Sequence, residues 1–432
     1  MATQHDRPPL PAGPYLVVGL ARSGQAAARL LAERGAEVIG ADAGKPAGAE
    51  RLRDAGVEVH LDGDREQLVE RVGCVVKSPG VPREAPAVRR ALTLGVPVVG
   101  ELELAWRLVP NRFVAVTGTN GKTTVAELLG HVWRAAGQPV VVAGNVGTPL
   151  ASLAGRLEPE ATVICEASSF QLEDATRFAP ECALLLNLTP DHLDRHGTFE
   201  HYVEAKLRIF ACQDEADTAI VDRSDPHVAG LDLPGAARVV DIAADPPPFE
   251  PEGPWLMGRH NRANARFAAA AAIASGLPSA DVERGISTFA GIPHRLERVA
   301  EIEGVAYVND SKATNVAAAV AALRSFEGGV HAIMGGSLKG GDFSGLAAPV
   351  GERCAAVYVL GPAADPIAGA LAASDVEIHR VSDMAAAVDR AHAAARPGQT
   401  VLLAPACASF DAYRDYEARG DHFKALVGEL AS

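Results

Sequence analysis

The stretch AVTGTNGKTTV at residues 115–125, hereafter the phosphate loop, joins an apolar strand pattern to a helical one. The common phosphate-binding pattern, G-x-x-x-x-G-K-[ST], begins with a glycine at a position where this chain has valine. Gly118 and Gly121 nevertheless leave backbone N–H groups able to face a phosphate. Lys122 can reach the outer phosphates of a nucleotide, and the Thr123 hydroxyl can ligate magnesium. The stretch therefore predicts a strand, a loop that binds a nucleotide phosphate, and a helix.

The same change from a strand pattern to an Ala-rich helical pattern restarts three times along the 432 residues. Such alternation is typical of βαβ units on parallel sheets. We therefore predict an α/β protein of three domains: a Rossmann-like N-terminal domain, a central P-loop ATPase-like domain and a Rossmann-like C-terminal domain. The restarts at RFVAVTG and after the turn-like GIPHR predict the domains 1–110, 111–297 and 298–432.

The composition is that of a soluble globular protein. Hydrophobic residues make up 48% and charged residues 22% of the chain, and the net charge is -14. No apolar run approaches the roughly 18 residues of a membrane span, and an acidic chain opposes binding along a nucleic-acid backbone. Residues 1–13 carry charge and prolines in place of the apolar stretch of a secretory signal. We expect a cytoplasmic monomer that binds small molecules and neither nucleic acid nor membrane.

The N-terminal strand pattern meets a helix at VVGLARSG, residues 17–24, and a second strand pattern ends at Asp42. Glycines permit a tight turn close to a ligand, and an acid after the second strand can accept a ribose or base hydroxyl. Ala21 replaces the middle glycine of a dinucleotide-binding loop, so a nucleotide-like ligand, a nicotinamide cofactor and a structural turn all stay open. KSPGVP, residues 77–82, follows a later strand and fits a ligand loop or a plain turn.

Acids and histidines follow two further strand patterns of the central domain. The strand 163–165 ends at Glu166, where a parallel sheet would direct the acid towards the phosphate loop; an acid that caps a helix is the alternative. CALLLNLT leads into PDHLDRH, residues 190–196, in which His192 is the candidate metal ligand and each group alone fits a surface role. Lys206 lies on an amphipathic helical pattern, and the sequence by itself gives it no role beyond a solvated lysine.

Three segments of the C-terminal domain follow strand patterns: NDSKATN at 309–315, GGSLKGGDF at 335–343 and APACASF at 404–410. The carboxyl ends of parallel strands meet at one edge of a sheet, so Lys312, Lys339 and Ser409 should gather there. Donors of this kind suit a carboxylate. A general anion site or ordinary helix capping is the alternative.

Together these motifs resemble the Mur ligase superfamily, and within it the members that add glutamate. TGTNGKTT at residues 117–124 marks the superfamily, while NDSKATN and PACASFDAYRDYEARGDHF, residues 405–423, mark the glutamate-adding members. NLTPDHLDRH, AKLRIF, GRHNRANA and GIPHRLE stand in the expected order between them. The resemblance is nearly collinear from residue 16 to the C-terminus.

The resemblance implies an ATP-dependent ligase of cytoplasmic peptidoglycan precursor synthesis. Such an enzyme would phosphorylate the carboxylate of UDP-N-acetylmuramoyl-L-alanine with ATP, and D-glutamate would attack the acyl phosphate. No residue pattern reports chirality, so a related ligase that adds another amino acid, such as L-glutamate, stays an alternative. A P-loop NTPase would leave the N-terminal domain without a purpose, and Ala21 disfavours a nicotinamide oxidoreductase.

The resemblance also assigns residue roles, motif by motif. The catalytic side chains would be Lys122, His192 and Lys206. Two magnesium ions would be held, the first by Thr123 and Glu166 and the second by His192 and a carbamate formed from Lys206 and CO2. The ATP contacts would be Gly118, Thr119, Asn120, Gly121, Lys122, Thr123, Thr124, Asn261, Asn264, Arg295 and Asp310. The contacts to the UDP-sugar would be Arg22, Ser23, Asp42, Ser78, Gly80, Asn145 and His192. The contacts to glutamate would be Lys312, Thr314, Lys339, Ser409 and Phe410.

Overall fold

The computed structural model describes residues 7–63, 65–253, 255–256, 258–338 and 342–431. The chain folds into two compact units. The first unit holds the residues up to Glu252 together with Ala263–Phe289, and the second holds Gly253–Arg262 and the chain from Ala290 onward. Two sheets lie in the first unit and one in the second, so the predicted α/β architecture of three sheet domains is confirmed.

The first sheet has five parallel strands in the order β3-β2-β1-β4-β5. Its elements are β1 Tyr15–Val18, α1 Arg22–Glu33, β2 Val38–Ala41, a 3-10 helix Ala49–Ala55, β3 Glu58–His60, a 3-10 helix Glu66–Arg71, β4 Cys74–Lys77, α2 Pro86–Leu94, β5 Val98–Gly100 and α3 Glu101–Leu108. The strand order reverses between β1 and β4. Ligands of doubly wound sheets bind at the carboxyl ends of strands at such a reversal, which here is where the loops after Val18 and Lys77 begin.

The second sheet has six parallel strands in the order β11-β10-β9-β6-β8-β7. Its elements are β6 Arg112–Thr117, α4 Lys122–Ala135, β7 Val140–Gly144, a 3-10 helix Leu150–Leu153, β8 Thr162–Glu166, α5 Ser169–Leu172, β9 Cys182–Leu185, α6 Leu193–His196, α7 Phe199–Leu207, β10 Thr218–Val221, β11 Arg238–Asp241, α8 Gly258–Ala274, of which the part from Ala263 lies in this unit, and α9 Ser279–Thr288. Strand β6 lies between β8 and β9 and is buried along almost its whole length. The phosphate loop therefore starts at the centre of the sheet edge.

The third sheet has six strands in the order β12-β13-β17-β14-β15-β16, of which β12 alone runs antiparallel to its neighbour. Its elements are β12 Glu297–Ile302, β13 Val305–Asn309, α10 Val316–Leu323, β14 Val330–Gly335, a 3-10 helix Ser344–Leu346, α11 Ala347–Arg353, β15 Cys354–Leu360, α12 Ala364–Ala370, β16 Glu377–Arg380, α13 Met384–Ala394, β17 Thr400–Leu403 and α14 Tyr416–Leu430. Strands β13, β17 and β14 are parallel neighbours. The three segments expected at one edge of this sheet therefore do start at the same edge.

Two buried carboxylates of α3 join the first sheet domain to the second within one compact unit. Glu101 accepts a hydrogen bond from the Ala151 backbone N–H at 3.0 Å, and its burial raises the pKa of this carboxyl to about 7. Glu103 accepts the backbone N–H groups of Thr176, Arg177 and Phe178 at 2.9 to 3.0 Å. Glu101 has one further partner, the side chain of Gln171, whereas Glu103 is also paired with the Arg107 guanidinium at 2.6 Å. A buried carboxylate with more donors, one of them charged, costs less to bury. The two acids therefore differ in their effect on stability.

Replacing Glu101 by glutamine is expected to stabilise the protein at neutral and alkaline pH. Between pH 4.5 and 7 the folded protein holds a proton on Glu101 that the unfolded chain has released, so the free energy of unfolding falls as pH rises through this window. The variant has no such titrating group. Above pH 7 its free energy of unfolding should therefore exceed that of wild type by up to about 3 kcal/mol. Urea unfolding at several pH values measures the difference. Glu103→Gln is the matched control. Its free energy of unfolding should fall by about 1–3 kcal/mol, because three N–H groups lose a charged acceptor. Equal effects of the two variants would contradict the different roles given to the two acids.

Among the residues that the structure describes, no helix combines the length and the apolar composition needed to cross a bilayer.

Candidate active site

The phosphate loop depends on two glycines with positive φ. Gly118 has φ 150° and Gly121 has φ 86°, conformations that a residue with a side chain adopts only under strain. A Cβ atom on Gly121 would also lie 2.5 Å from Oδ1 of Asn264. Helix α4 begins immediately afterwards at Lys122, so its first N–H groups are directed to the loop. The sequence from β6 through the loop into α4 folds as the pattern predicts.

The lysine of the loop folds over the loop itself. Nζ of Lys122 donates to the carbonyl oxygens of Gly118 at 2.9 Å and Thr119 at 2.8 Å. Thr123 and Thr124 follow in the first turn of α4. The Lys122 ammonium group and the N–H groups of the first turn of α4 therefore lie close together. A cation beside the N-terminus of a helix is an arrangement that binds phosphate.

Asn187 fixes the phosphate loop, although no sequence motif predicted a role for it. Its Oδ1 accepts the Asn120 N–H at 2.9 Å, its Nδ2 donates to the Asn120 carbonyl at 3.1 Å, and its own carbonyl accepts the Thr119 N–H at 2.9 Å. The Thr119 hydroxyl is in turn 2.9 Å from the hydroxyl of Tyr202 on α7. The available signal was the position of Asn187 after β9, the strand beside β6, because side chains there face the loop.

Glu166 ends β8 in register with Val116 of β6, next to the start of the phosphate loop. The Nδ2 of Asn145 donates to Oε1 of Glu166 at 3.0 Å, and the Asn145 N–H donates to the Glu166 carbonyl at 2.9 Å. Helix capping, the alternative for this acid, is taken by Ser168, whose side chain and Gln171 form a capping box on α5. Glu166 is therefore held beside the loop as a carboxylate with one amide partner.

Lys206 is buried in α7, and its Nζ donates to the Gly118 carbonyl at 2.8 Å. This ammonium group also lies over the ring of Tyr202, 4.6 Å from the centroid. Burial, and then the nearby charge of Lys122, lowers the pKa of Lys206 to about 7. The lysine that the sequence pattern would leave in solvent is therefore in the loop region with much of its amine neutral at pH 7.

His192 lies at the surface before α6, with φ 52°, a left-handed conformation unusual for a residue other than glycine. Its Nε2 is 3.5 Å from Oδ2 of Asp191, and its ring packs 4.8 Å from the ring of Phe170. Strained backbone of this kind is found where the surroundings hold a side chain in place. The imidazole is accessible, and Asp191 and Phe170 are its neighbours.

The donor set around the phosphate loop suits magnesium and not a soft metal. Within the described ranges, no group of three or more His, Cys, Asp or Glu side chains converges into a metal cage. Magnesium does not need one, because it is usually bound by one or two carboxylates together with substrate phosphates and water. The Glu166 carboxylate and the Thr123 hydroxyl are hard oxygen donors of this type, and they fit the ion.

The predicted UDP contacts lie at the carboxyl edge of the first sheet. Ser78, which follows β4, donates from Oγ to the Gly19 carbonyl at 2.7 Å. Asp42 accepts the Leu20 N–H at 2.6 Å on one oxygen and the Gly44 N–H at 2.8 Å on the other. The same edge carries the remaining residues predicted to contact the UDP group: Arg22, Ser23 and Gly80. The Asp42 carboxylate thus holds two loops together.

In the second unit, the segment after β13 packs against the turn that precedes β12. The Lys312 N–H donates to the His294 carbonyl at 3.0 Å, and Oδ1 of Asp310 accepts the Leu296 N–H at 3.2 Å. Burial raises the pKa of Asp310 to about 6. The turn that carries Arg295 is therefore joined directly to the segment that carries the predicted ATP and glutamate contacts.

The other predicted contacts in this unit differ in exposure. Ser409 is buried, whereas Phe410 is 68% exposed, and Thr314 lies in the same segment as Lys312. Asn261 is buried, and its Nδ2 donates to the Trp255 carbonyl at 3.2 Å. Lys339 lies outside the described residues.

Arg419 of α14 holds two of the predicted glutamate segments together. Its guanidinium donates to the carbonyl oxygens of Cys407 and Ala408 at 3.0 and 3.2 Å and to the carbonyl and hydroxyl of Ser311 at 2.9 and 3.0 Å. Burial lowers the pKa of this guanidinium to about 10. No role was predicted for Arg419 from the sequence, although its position within the motif at residues 405–423 indicated one.

A parallel sheet with a glycine loop, a loop lysine and an acid on the neighbouring strand defines a nucleotide-using protein. Three family models match successive stretches of the chain: the MurD-like N-terminal domain of Mur ligases at residues 14–100, the Mur ligase middle domain at 116–243, and the glutamate ligase domain of Mur ligases at 294–407. The chain belongs to the Mur ligase family.

Within that family the chain is similar to curated UDP-N-acetylmuramoylalanine–D-glutamate ligases. It is 43% identical to the enzyme of Pelotomaculum thermopropionicum, over 96% of this chain and 97% of that enzyme. It is 39% identical to the enzyme of Koribacter versatilis, with the same two coverages. The similarity therefore extends over almost the whole length of both relatives.

Solved structures of Mur ligases share the fold. The UDP-N-acetylmuramate-alanine ligase MurC of Thermotoga maritima matches with a TM-score of 0.56 and 16% identity, over 97% of this chain and 100% of that one. MurF of Acinetobacter baumannii matches with a TM-score of 0.54 and 19% identity, over 78% and 81%. At these identities the likeness concerns the fold alone.

Proposed function

We propose that the protein is an ATP-dependent ligase that adds D-glutamate to UDP-N-acetylmuramoyl-L-alanine in peptidoglycan precursor synthesis. The observation that carries the proposal is the continuous similarity, over 96% of the chain, to ligases of that name. The geometry of the phosphate loop gives this similarity a physical basis, because phosphoryl transfer depends on positioned cations and on a metal-holding carboxylate.

In the first step, an oxygen of the alanyl carboxylate would attack the γ-phosphorus of ATP, and ADP would leave. Both reactants are anions, so the site must hold them together and neutralise the charge that develops. Lys122 suits this task because hydrogen bonds to two loop carbonyl oxygens hold its Nζ within the phosphate loop. The N–H groups of the loop and of the first turn of α4 supply further donors to the phosphates.

In the second step, the amine of glutamate would attack the carbonyl carbon of the acyl phosphate. A C–N bond forms, the C–O bond to phosphate breaks, inorganic phosphate leaves with the electron pair, and the amine loses a proton. The reaction needs no side-chain nucleophile. The proposed contacts to glutamate are Lys312, Thr314, Lys339, Ser409 and Phe410, and those to ATP beyond the phosphate loop are Asn261, Asn264, Arg295 and Asp310.

Glu166 and Thr123 would hold one magnesium ion, which would draw charge from the phosphate oxygens. We assign His192 and a carbamate of Lys206 to a second ion. The support for the carbamate is that Lys206 is buried beside a second cation, which favours the neutral amine that can add to CO2. The resulting anion would also be stabilised by the charge of Lys122.

The proposed UDP-sugar contacts are Arg22, Ser23, Asp42, Ser78, Gly80 and Asn145, with His192 beside the alanyl end. We propose the domain limits 1–110, 111–297 and 298–432. We also propose that the protein is a monomer in the cytoplasm, because its proposed nucleotide-sugar substrate is soluble.

The proposal is tested by incubating the purified protein with UDP-N-acetylmuramoyl-L-alanine, ATP, magnesium and either D-glutamate or L-glutamate. The expected result is a product heavier by one glutamate residue with the D isomer, with one phosphate released per product. Reactions that lack the UDP-sugar or glutamate are the controls. Phosphate release that depends on neither substrate would contradict the proposal, and a product with L-glutamate alone would favour the related ligase.

A further inference from the structure

The carbonyl oxygen of Val81, in the loop after β4, accepts hydrogen bonds from two cations. Nζ of Lys77, the last residue of β4, donates to it at 2.7 Å. Nη2 of Arg195, on α6 of the second sheet domain, donates to it at 3.0 Å. One backbone atom therefore joins side chains from two sheet domains of the same compact unit.

Each of the two cations is paired with one of two consecutive acids. Nζ of Lys77 is 2.7 Å from Oδ2 of Asp174, and Nη2 of Arg195 is 3.0 Å from Oε2 of Glu173. Lys77 is completely buried, and Asp174 is 6% exposed. Charges buried in this way are held rigidly, since moving either partner leaves the other without compensation. The geometry at Val81 is therefore fixed from both sides.

This arrangement connects two groups that are proposed to contact the same substrate. On one side, the loop of Val81 also carries Ser78, which is bonded to the Gly19 carbonyl. On the other side, the Arg195 backbone N–H donates to the His192 carbonyl at 3.0 Å. The contacts run without a gap from the proposed UDP-binding loops to His192.

We propose that Lys77 and Arg195 are positioning residues that set the distance between the UDP-binding loops and His192. The inference rests on the proposed function, because it assumes that one UDP-sugar contacts both places. A substrate held at two ends binds well only if those ends are correctly spaced, and errors of about 1 Å are costly. ATP contacts neither Ser78 nor the Val81 loop in this scheme, so its binding should not depend on this spacing.

Arg195→Gln tests the proposal by steady-state kinetics with each substrate varied in turn. The KM for the UDP-sugar should rise about tenfold, since a hydrogen bond from a charged donor is lost, while the KM for ATP should change less than about twofold. Arg195→Lys keeps a cation and should give an intermediate KM for the UDP-sugar. Arg83→Gln is the matched control, because Arg83 also lies near Asp174, at 3.9 Å, but is 43% exposed; its KM values should stay within about twofold.

Equal increases in the KM for ATP and for the UDP-sugar in Arg195→Gln would overturn the proposal, as would an effect no larger than that of Arg83→Gln. Lys77→Met is a second test where the variant folds. It should also raise the KM for the UDP-sugar more than the KM for ATP. If the wild-type protein forms no ligation product, the proposed function fails. A wild type that is active beside an Arg195→Gln variant with unchanged KM values refutes the positioning role alone.

Discussion

Replacing Lys122 by methionine is expected to lower kcat for ligation about a thousandfold while the protein stays folded. The lysine ammonium is the cation within the phosphate loop, and removing a positioned charge from a phosphoryl-transfer site costs a factor of this order. Methionine keeps most of the side-chain volume, so Tm should fall by no more than about 3 °C. The Gly118 carbonyl keeps Nζ of Lys206 as a donor, and Thr119 is only partly buried, so its carbonyl can bind water. Initial rates of phosphate release with all substrates present measure the effect.

Arg134→Met is the control for the Lys122 variant, because Arg134 is an exposed cation in the last turn of the same helix, α4. Its kcat should stay within about twofold of wild type, since exposed surface substitutions have small effects. A Lys122→Met variant that keeps more than about a tenth of wild-type kcat would contradict the role given to the lysine.

Lys206→Ala is expected to lower kcat at least about a hundredfold, because the proposed carbamate would supply a ligand to the second magnesium ion. Added bicarbonate should not restore the activity, since the variant has no amine to react with CO2. A short-chain carboxylate such as acetate should restore part of it by occupying the space of the carbamate. In wild-type protein, removal of dissolved CO2 should lower the rate and bicarbonate should restore it.

Arg208→Ala is the matched control for Lys206→Ala, because Arg208 directly follows α7 and is exposed. It should change kcat by less than about twofold and should not respond to acetate. Chloride at equal ionic strength separates rescue by the carboxylate from a general salt effect. Full activity of Lys206→Ala would refute the carbamate, and so would equal rescue by chloride.

The fold around the phosphate loop could be predicted because its signals are local. A buried apolar strand, glycines at positive φ and a helix that starts at Lys122 are all encoded within residues 112–135. The position of Glu166 beside the loop follows from the same logic, because β8 is a parallel neighbour of β6. Strand ends at one edge of a parallel sheet are brought together by topology alone.

The supporting contacts could not be predicted, because they join segments that are far apart in sequence. Asn187 forms hydrogen bonds to the phosphate loop, which is about seventy residues away in the sequence. Lys77 pairs with Asp174, which is about a hundred residues away. No periodicity or local propensity reports such pairs, since each residue alone fits a surface or turn position. The same limit applies to Lys206, whose burial depends on how α7 packs against the loop. The resemblance to a family, and not the pattern, gave Lys206 its predicted role.

The packing of the first two sheet domains into one compact unit was also beyond the sequence pattern. The strand and helix patterns separate these domains near residue 110. In the folded protein, Glu101 and Glu103 on α3 are buried against the second sheet domain and bond to its backbone. Acids in a helix are expected at its solvent face, so their burial is a tertiary effect.

In the proposed reaction, a substrate carboxylate is activated by transfer of phosphate from ATP at the phosphate loop. It is tested most directly with UDP-N-acetylmuramoyl-L-alanine labelled with heavy oxygen in its alanyl carboxylate. We expect one labelled oxygen per product to appear in the released inorganic phosphate, because the bond between the acyl carbon and that oxygen breaks when glutamate attacks. Released phosphate without label, with the departing labelled oxygen found instead in AMP or in water, would contradict this mechanism.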